Sequence, residues 1–326
     1  MNNELLFLLS LGLKKLLKNI YNNYKDPISY KLLNLHKNFL SPISFLDRSK
    51  DIDKITYTTF KNVLPFIEEK DYEPDSEDIY KLKRAWLENR EPPMKIGRFL
   101  NKYFDFNQLE IENFVNRFKV ESKKDITGLK WERVHGKEIN RWYLYDNYLH
   151  GGGSLNRSCL RKPEKNNFIN FISDNPNSVR LLTLQNDNGK LLGRALMWKL
   201  SEPKDRFFLD RIYTRFDEDI NLFIESAKNQ GWLFKSRQTY GGDVPIIDGK
   251  TGDIKKIKMV VNNFKKINFK GYPYMDTFQF YDLKNEILTN DNSLFINDNV
   301  IKLDKTDGKY TKYNDNQEID LGDMLA

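Results

Sequence analysis

The apolar residues of this chain keep one period up to about Asp125 and another after Gly128, and that switch limits the available folds more than any motif does. In the first stretch Ile111, Phe114, Val115 and Phe118 recur at i, i+3, i+4 and i+7, and Ile79, Leu82, Ala85 and Trp86 share one helical face. Glu73-Pro74-Asp75 and Glu91-Pro92-Pro93 break the periodic segments, because proline fixes φ and removes a backbone donor. Residues 1–126 are therefore expected to be helical, with the polar stretch Asp47–Asp53 as a loop.

Beyond Gly128, Leu181–Leu184 and Leu191–Leu200 flank Asn186-Asp187-Asn188-Gly189, residues that tolerate the positive φ of a tight turn. The pattern predicts a β-hairpin. Phe207–Thr214 predicts a third strand, and Asp217 can cap a helix that turns Ile220, Phe223, Ile224 and Ala227 inward. Gly231 stops that helix and Trp232–Phe234 re-enters as a strand. An order of hairpin, strand, helix, strand predicts the α+β class: a helical N-terminal region followed by a mixed α/β sheet core. The expected division is 1–126 (helical), 127–282 (α/β core) and 283–326, a C-terminal extension whose tail carries Asp315, Glu318, Asp320 and Asp323 with no base after Asn314.

Composition narrows the function classes. Hydrophobic residues make up 39% of the 326, enough to fill a core, and 53 Lys and Arg against 46 Asp and Glu leave a net charge of +7. That balance permits a nucleic-acid partner without requiring one. The single cysteine, Cys159, excludes an intramolecular disulfide framework and a Cys-based structural zinc site, and it predicts an intracellular protein. The apolar run Leu5–Leu13 follows Glu4 and precedes Lys14 and Lys15, the wrong polarity for a signal peptide, and is too short for a span of about 20 residues. No transmembrane segment is expected. Continued through Leu16, Leu17, Ile20 and Tyr24, the run predicts an amphipathic helix over 4–24 that docks on the fold or on a neighbour.

Several residues are candidates for chemistry. Cys159 follows Gly151-Gly152-Gly153-Ser154 and is flanked by Arg157, Arg161 and Lys162, so its thiolate could be stabilised as a nucleophile with His135 or His150 as base. A buried structural cysteine is the simpler expectation. The three glycines lack the register of a phosphate loop and read as a turn. Asp217-Glu218-Asp219 reads as the acidic first turn of its helix, and the three histidines, His36, His135 and His150, show no metal-ligand spacing. No metal and no cofactor are expected.

Charges inside apolar strands are a stronger signal. Alternation puts Arg194 on the face of Leu192, Leu196 and Trp198, and sends Asp210 and Arg211 to opposite faces of an apolar strand. A buried charge is costly unless paired. Arg194 and Asp210 are therefore expected to pair across adjacent strands, or to form with Arg161 and Arg211 a polar pocket that meets a ligand. A second cluster is basic: Lys255, Lys256, Lys258, Lys265, Lys266 and Lys270 have no acid among Ile254–Lys270, and Phe264, Phe269 and Tyr272 stand near them. Lysines contact phosphates and exposed aromatics stack on unpaired bases, so the stretch is a candidate nucleic-acid surface; the simpler reading is a solubilised strand edge.

Six separated strings resemble one pattern: Lys95-Ile96-Gly97-Arg98-Phe99, Ile111 to Asn116, Gly153-Ser154-Leu155 with Ser158-Cys159, Gly193 to Trp198, Asp210 to Thr214, and Tyr272 to Thr277. Their order and spacing resemble an uncharacterised protein family of large tailed bacteriophages, over about residues 94–282. The resemblance implies a phage origin, location in the host cytoplasm or the virion, and other phage proteins or nucleic acid as partners. It implies no activity. The element order of residues 180–235 is also similar to the core of the GNAT acyltransferases, whose strand-to-helix junction carries Arg/Gln-x-x-Gly-x-Gly/Ala to hold the coenzyme A pyrophosphate. Here the junction is Arg215-Phe216-Asp217-Glu218-Asp219, acidic and without glycine, which would repel a pyrophosphate. The expected function is that of a non-enzymatic phage protein, a virion component or a factor that binds nucleic acid or protein. The alternatives are a GNAT-like transferase with an altered cofactor site and a cysteine hydrolase using Cys159 with His150.

Overall fold

The chain divides between Thr127 and Gly128 into two units, at the place where the apolar period changes. The structure, a computed structural model, describes residues 8–9, 11–35, 43–46, 52–57, 91–149, 153–162, 166–265, 275–291, 293, 299–303, 310–312 and 318–319.

In the first unit, helices α1 (Leu11–Tyr24) and α2 (Pro27–Leu35) meet at Asp26. The Asp26 carboxylate accepts the Ser29 amide at 2.9 Å and caps α2, while Pro27 sits at the first helical position, where its missing N–H costs nothing. Helices α3 (Ile96–Tyr103) and α4 (Gln108–Ile126) follow, α4 opening with a reciprocal capping box between Asn107 and Glu110. Leu13, Leu17, Ile20, Phe99, Phe114 and Phe118 fill the core between them. The amphipathic helix expected over 4–24 thus begins at Leu11 and turns its apolar face into its own unit.

This region also holds a small sheet that its helical reading missed. Strands β1 (Leu8–Leu9), β2 (Ile43–Leu46), β3 (Lys54–Tyr57) and β4 (Met94–Lys95) run in that order, β1 parallel to β2 and the rest antiparallel. Runs of two to four residues are too short to show a period of two. The helical face Ile79 to Trp86 lies outside the described residues.

The second unit is built on an eight-stranded sheet. Its strands are β5 (Lys130–Val134), β6 (Val179–Gln185), β7 (Leu191–Lys199), β8 (Phe207–Leu209), β9 (Tyr213–Thr214), β10 (Leu233–Lys235), β11 (Ile246–Asp248) and β12 (Ile254–Lys255). The order is β12-β11-β10-β8-β7-β6-β5, with β9 also on β7; β10 is parallel to β8 and the other pairs are antiparallel. The β6–β7 hairpin turns at Gly189, whose φ is +70°. Helices α5 (Glu138–Arg141) and α6 (Asn166–Ser173) separate β5 from β6, and α7 (Ile220–Gln230) links β9 to β10 and ends at Gly231 in the left-handed region.

Two cores lie on the two faces of this sheet. Leu192, Ala195 and Met197 pack under Phe223 and Ala227 of α7, and Leu191, Leu181 and Trp198 join the larger core of the opposite face. That larger core includes residues of a second sheet, ordered β13 (Val260–Val261), β15 (Ile287–Thr289), β14 (Phe280–Asp282), β16 (Val300–Leu303), β17 (Tyr310–Lys312) and β18 (Glu318–Ile319). Chain beyond residue 283 therefore completes this sheet, with Leu288, Ile301 and Leu303 buried. Gly193 sits against α7: a Cβ there would come within 2.8 Å of the Phe223 ring, so only glycine lets the helix lie so close. Among the described residues, no helix is long and apolar enough to cross a membrane.

Candidate functional site

Two irregularities of β7 create the site. Gly193 pairs with Leu184 and Leu191 with Gln185, so Leu192 is an extra residue and the pleat reverses there. Arg194 consequently shares a face with Leu196 and Trp198, as expected, while Leu192 faces α7 instead of standing beside Arg194. On the other edge, Met197 pairs with Leu209 and Arg194 with Tyr213. Ala195 and Leu196 thus oppose three residues, Asp210, Arg211 and Ile212, which form a bulge.

The neighbouring strand leaves at the same level. β10 pairs with β8 through Leu233 and Phe234 only, so β9 has no strand on its second edge among the described residues. The chain satisfies that edge itself. Ser154 Oγ accepts the Thr214 amide at 3.1 Å, the Arg215 carbonyl accepts the Gly153 amide at 2.7 Å, and Gln238 Oε1 accepts the Ile212 amide at 2.7 Å. Gly153 approaches so closely that a Cβ would lie 2.4 Å from the Thr214 carbonyl oxygen.

Bulge and loop enclose a cleft lined by Tyr143, Ser158, Cys159, Arg194, Asp210, Arg211, Tyr213 and Asp276, with Leu160, Ile172, Leu181, Leu196 and Met275 as its apolar wall. Four strings far apart in sequence, Gly153–Cys159, Gly193–Trp198, Asp210–Thr214 and Met275–Thr277, meet around it. Its inner volume is about 30 Å³, room for one small group.

Arg194 and Asp210 both line the cleft, but they are not bonded to each other. Arg194, 1% exposed, donates from Nη2 to Ser158 Oγ at 2.8 Å and lies over the Tyr143 ring, its guanidinium carbon 3.6 Å from the centroid. Among the described residues its Nε and Nη1 have no hydrogen-bond partner. Register explains the missing pair: Arg194 stands opposite Tyr213, and the bulge carries Asp210 away to other donors. Asp210 accepts the Trp198 indole N–H at 3.1 Å, the Arg211 amide at 2.7 Å and the Thr277 hydroxyl at 2.5 Å. The Thr277 hydroxyl in turn accepts a bond from the Lys235 ammonium at 3.0 Å, so it bridges a buried Lys to a buried Asp. Arg211 and Tyr213 hold the two oxygens of Asp276 at 3.0 and 2.6 Å.

Burial raises Asp210 above the ordinary carboxylate range, against the opposing pull of Lys235 and of the Thr277 bond. Burial likewise lowers Lys235, against the attraction of Asp210 and Asp276. Tyr143 is pushed up to about 12 by burial and stays a neutral ring beneath Arg194.

The other sequence-derived candidates do not assemble here. Arg161 turns its guanidinium over the Tyr145 ring at 4.9 Å and does not line the cleft. Cys159 is exposed at the cleft, contrary to a buried structural cysteine, and His135 is exposed and does not line it; His36 and His150 lie outside the described residues. Of the basic stretch, Lys255, Lys256 and Lys265 are exposed and Lys258 pairs with Glu202 at 3.4 Å, while Lys266, Lys270, Phe269 and Tyr272 lie outside the described residues. Phe264 is wholly buried, 4.8 Å from the Phe171 ring centroid, and offers no exposed face for base stacking. The acidic junction differs from a solvated first turn: Glu218 and Asp219 are buried, and Arg215 Nε donates to Asp219 at 3.0 Å. Among the described residues, no group of three or more His, Cys, Asp or Glu could hold a metal ion.

Sequence reasoning missed Lys235, Thr277, Asp276 and Ser158. Lys235 closes the apolar strand Trp232–Phe234, so the argument that singled out Arg194 would have found it. The other three stand inside strings that carry the family resemblance, but no local pattern gives any of them a chemical role until the fold brings them together. No family model, no curated protein and no solved structure matches this chain.

Proposed function

We propose that this protein works by recognition and not by catalysis, as a phage-encoded binding factor whose second unit takes an acidic group of its partner into the Arg194 cleft. One observation carries the reading: a guanidinium buried to 1% exposure keeps Nε and Nη1 without partners at the cleft wall. An unmet buried donor costs about 1–3 kcal/mol, more when charged, and a bound anion removes that cost. The aromatic stack on Tyr143 offsets part of the burial of the charge and leaves its in-plane hydrogen-bonding edge open. The resemblance to proteins of large tailed phages supports the origin.

Nucleic acid is the weaker partner class. The exposed lysines Lys255, Lys256 and Lys265 could meet phosphates, but the stacking ring expected beside them, Phe264, belongs to the core. A gel shift with single- or double-stranded nucleic acid at about 50 mM salt, lost on replacing those lysines by Gln, would restore that class.

The divergence of β9 from β10 favours one second reading, a GNAT-like transferase. Its backbone edge, however, is already bonded by Ser154, Gly153 and Gln238, and Glu218 and Asp219 are buried at the junction where a pyrophosphate would lie. Calorimetry with acetyl-coenzyme A is expected to show no saturable binding at micromolar concentration; saturable binding would replace the recognition reading by this one. The recognition reading itself is tested by thermal unfolding in acetate, phosphate and chloride. An oxyanion should raise the midpoint of the parent and leave Arg194→Met unmoved, and equal midpoints in all three salts would overturn it.

A further inference from the structure

The charges around the cleft say which anion it takes, on the premise that it takes one. Among the described side chains, Arg211 is matched by Asp276 at 3.0 Å and Lys235 by Asp210 through the Thr277 hydroxyl. Among the described residues Arg194 has no counter-charge, and its one side-chain hydrogen bond is to neutral Ser158. The set therefore carries a single positive charge in excess, located on Arg194. One monoanion neutralises it, whereas a phosphate dianion would leave a negative charge beside Asp210 and Asp276 in a poorly hydrated site.

The donor geometry agrees. A guanidinium presents two forked edges, Nε with Nη2 and Nη1 with Nη2, and a fork matches the two oxygens of a carboxylate. Ser158 takes one Nη2 proton, so one edge remains whole. The apolar part of the lining, Leu160, Ile172, Leu181, Leu196 and Met275, suits a few methyl groups. The small inner volume, about 30 Å³, limits the length of that stem.

We propose that the Arg194 cleft is a receptor for the carboxylate of a small monoanion with a short apolar stem, whether a free short-chain acid or the C-terminal residue of a peptide. This rests on the anion-binding reading above and narrows it.

The test is titration of the full-length protein, followed by NMR or calorimetry, with four probes: 3-methylbutyrate, N-acetyl-leucine as the mimic of a chain end, the neutral isostere 3-methylbutyramide, and inorganic phosphate. At least one carboxylate should bind saturably and at least tenfold more tightly than the amide or phosphate. Tighter binding of 3-methylbutyrate identifies a free acid as the source, and tighter binding of N-acetyl-leucine a chain terminus. Arg194→Gln should weaken the preferred carboxylate at least tenfold, while Lys255→Gln, outside the cleft, leaves it unchanged. Should Arg194→Gln fail to fold, Arg194→Lys, which keeps the charge and loses the fork, should weaken binding at least fivefold. Phosphate binding as tightly as the carboxylates through Arg194 would overturn the ligand class and keep the anion site. Binding of the amide equal to that of the acid, or no Arg194-dependent binding of any anion, would overturn both.

Discussion

The two units bury charge in opposite ways. In the first, each buried acid among the described residues is tied off where it enters. Asp26 caps α2 and takes Arg117 at 2.6 Å, Asp53 meets Lys119 at 3.2 Å, and Glu121 collects Lys124, Asn23 and the Tyr24 hydroxyl. The bases of these pairs stay partly exposed, so the charges fasten helices at the rim of the core. In the second unit Arg194, Asp210 and Lys235 lie deep beside a bulge, and one of them is left without a counter-charge. Polar burial that is fully matched is architecture; burial that leaves a donor unmet beside a cleft is capacity for a ligand.

The contrast can be broken first at Asp210. Asp210→Ala leaves Lys235 buried without its counter-charge and orphans the Trp198 and Thr277 donors, so equilibrium denaturation should show a loss of about 3–5 kcal/mol. A loss below about 1 kcal/mol would mean that the deep cluster is no more committed than the rim pairs of the first unit.

Gly153→Val should cost about 3 kcal/mol, because its Cβ would overlap the Thr214 carbonyl and the clash is with backbone. It should also disorder Ser158, which follows in the same loop, seen as broadened resonances around Arg194. Asp26→Ala, the rim counterpart, removes a cap and a half-exposed ion pair and should cost about 1–2 kcal/mol, with hydrogen-exchange protection lost at the start of α2.

Arg194→Met is expected to change stability by about 1 kcal/mol or less. Folding must strip water from a guanidinium that gains one hydrogen bond and an aromatic face, and an apolar replacement is relieved of that penalty. A loss as large as that of Asp210→Ala would mean that Arg194 is architecture too, and the contrast between the units would disappear.

The smallest effect is one of sign. Burial pushes Glu121 up, but its bonds to Lys124, Asn23 and Tyr24 leave it below its ordinary value of 4.5. Its share of stability is present above that value and fades as the pH falls through its lowered one. Asp210 is raised above its ordinary 3.8, so its share is complete below 3.8 and is lost as the pH climbs through the raised value. Acidification from about pH 6 to about pH 4 should therefore raise hydrogen-exchange protection around Asp210, and protection around Glu121 should begin to fall only near 4.5. Protection corrected for intrinsic exchange that moves in the same direction at both sites would contradict the assignment.

The sequence by itself determined the boundary near Gly128, the α+β class, the β6–β7 hairpin, the helix capped at Gly231 and the burial of charge at Arg194 and Asp210. Each follows from local chemistry: period, turn residues, caps, and the cost of charge among apolar neighbours. Tertiary structure alone decided what those charges meet. Alternation along β7 was the right rule until Leu192, where a bulge reverses the pleat, and the pairing of Arg194 with Asp210 failed at a second bulge one strand away. A bulge is a disagreement in length between two strands, and neither strand records it by itself. The same holds for Ser158, Lys235 and the adjacent Asp276 and Thr277, which come from three separate stretches of chain. Ser158 and Asp276 line the cleft, and Lys235 and Thr277 stand behind Asp210, because β9 and β10 diverge and the Gly153–Cys159 loop closes over the exposed edge, a long-range event to which no local pattern responds.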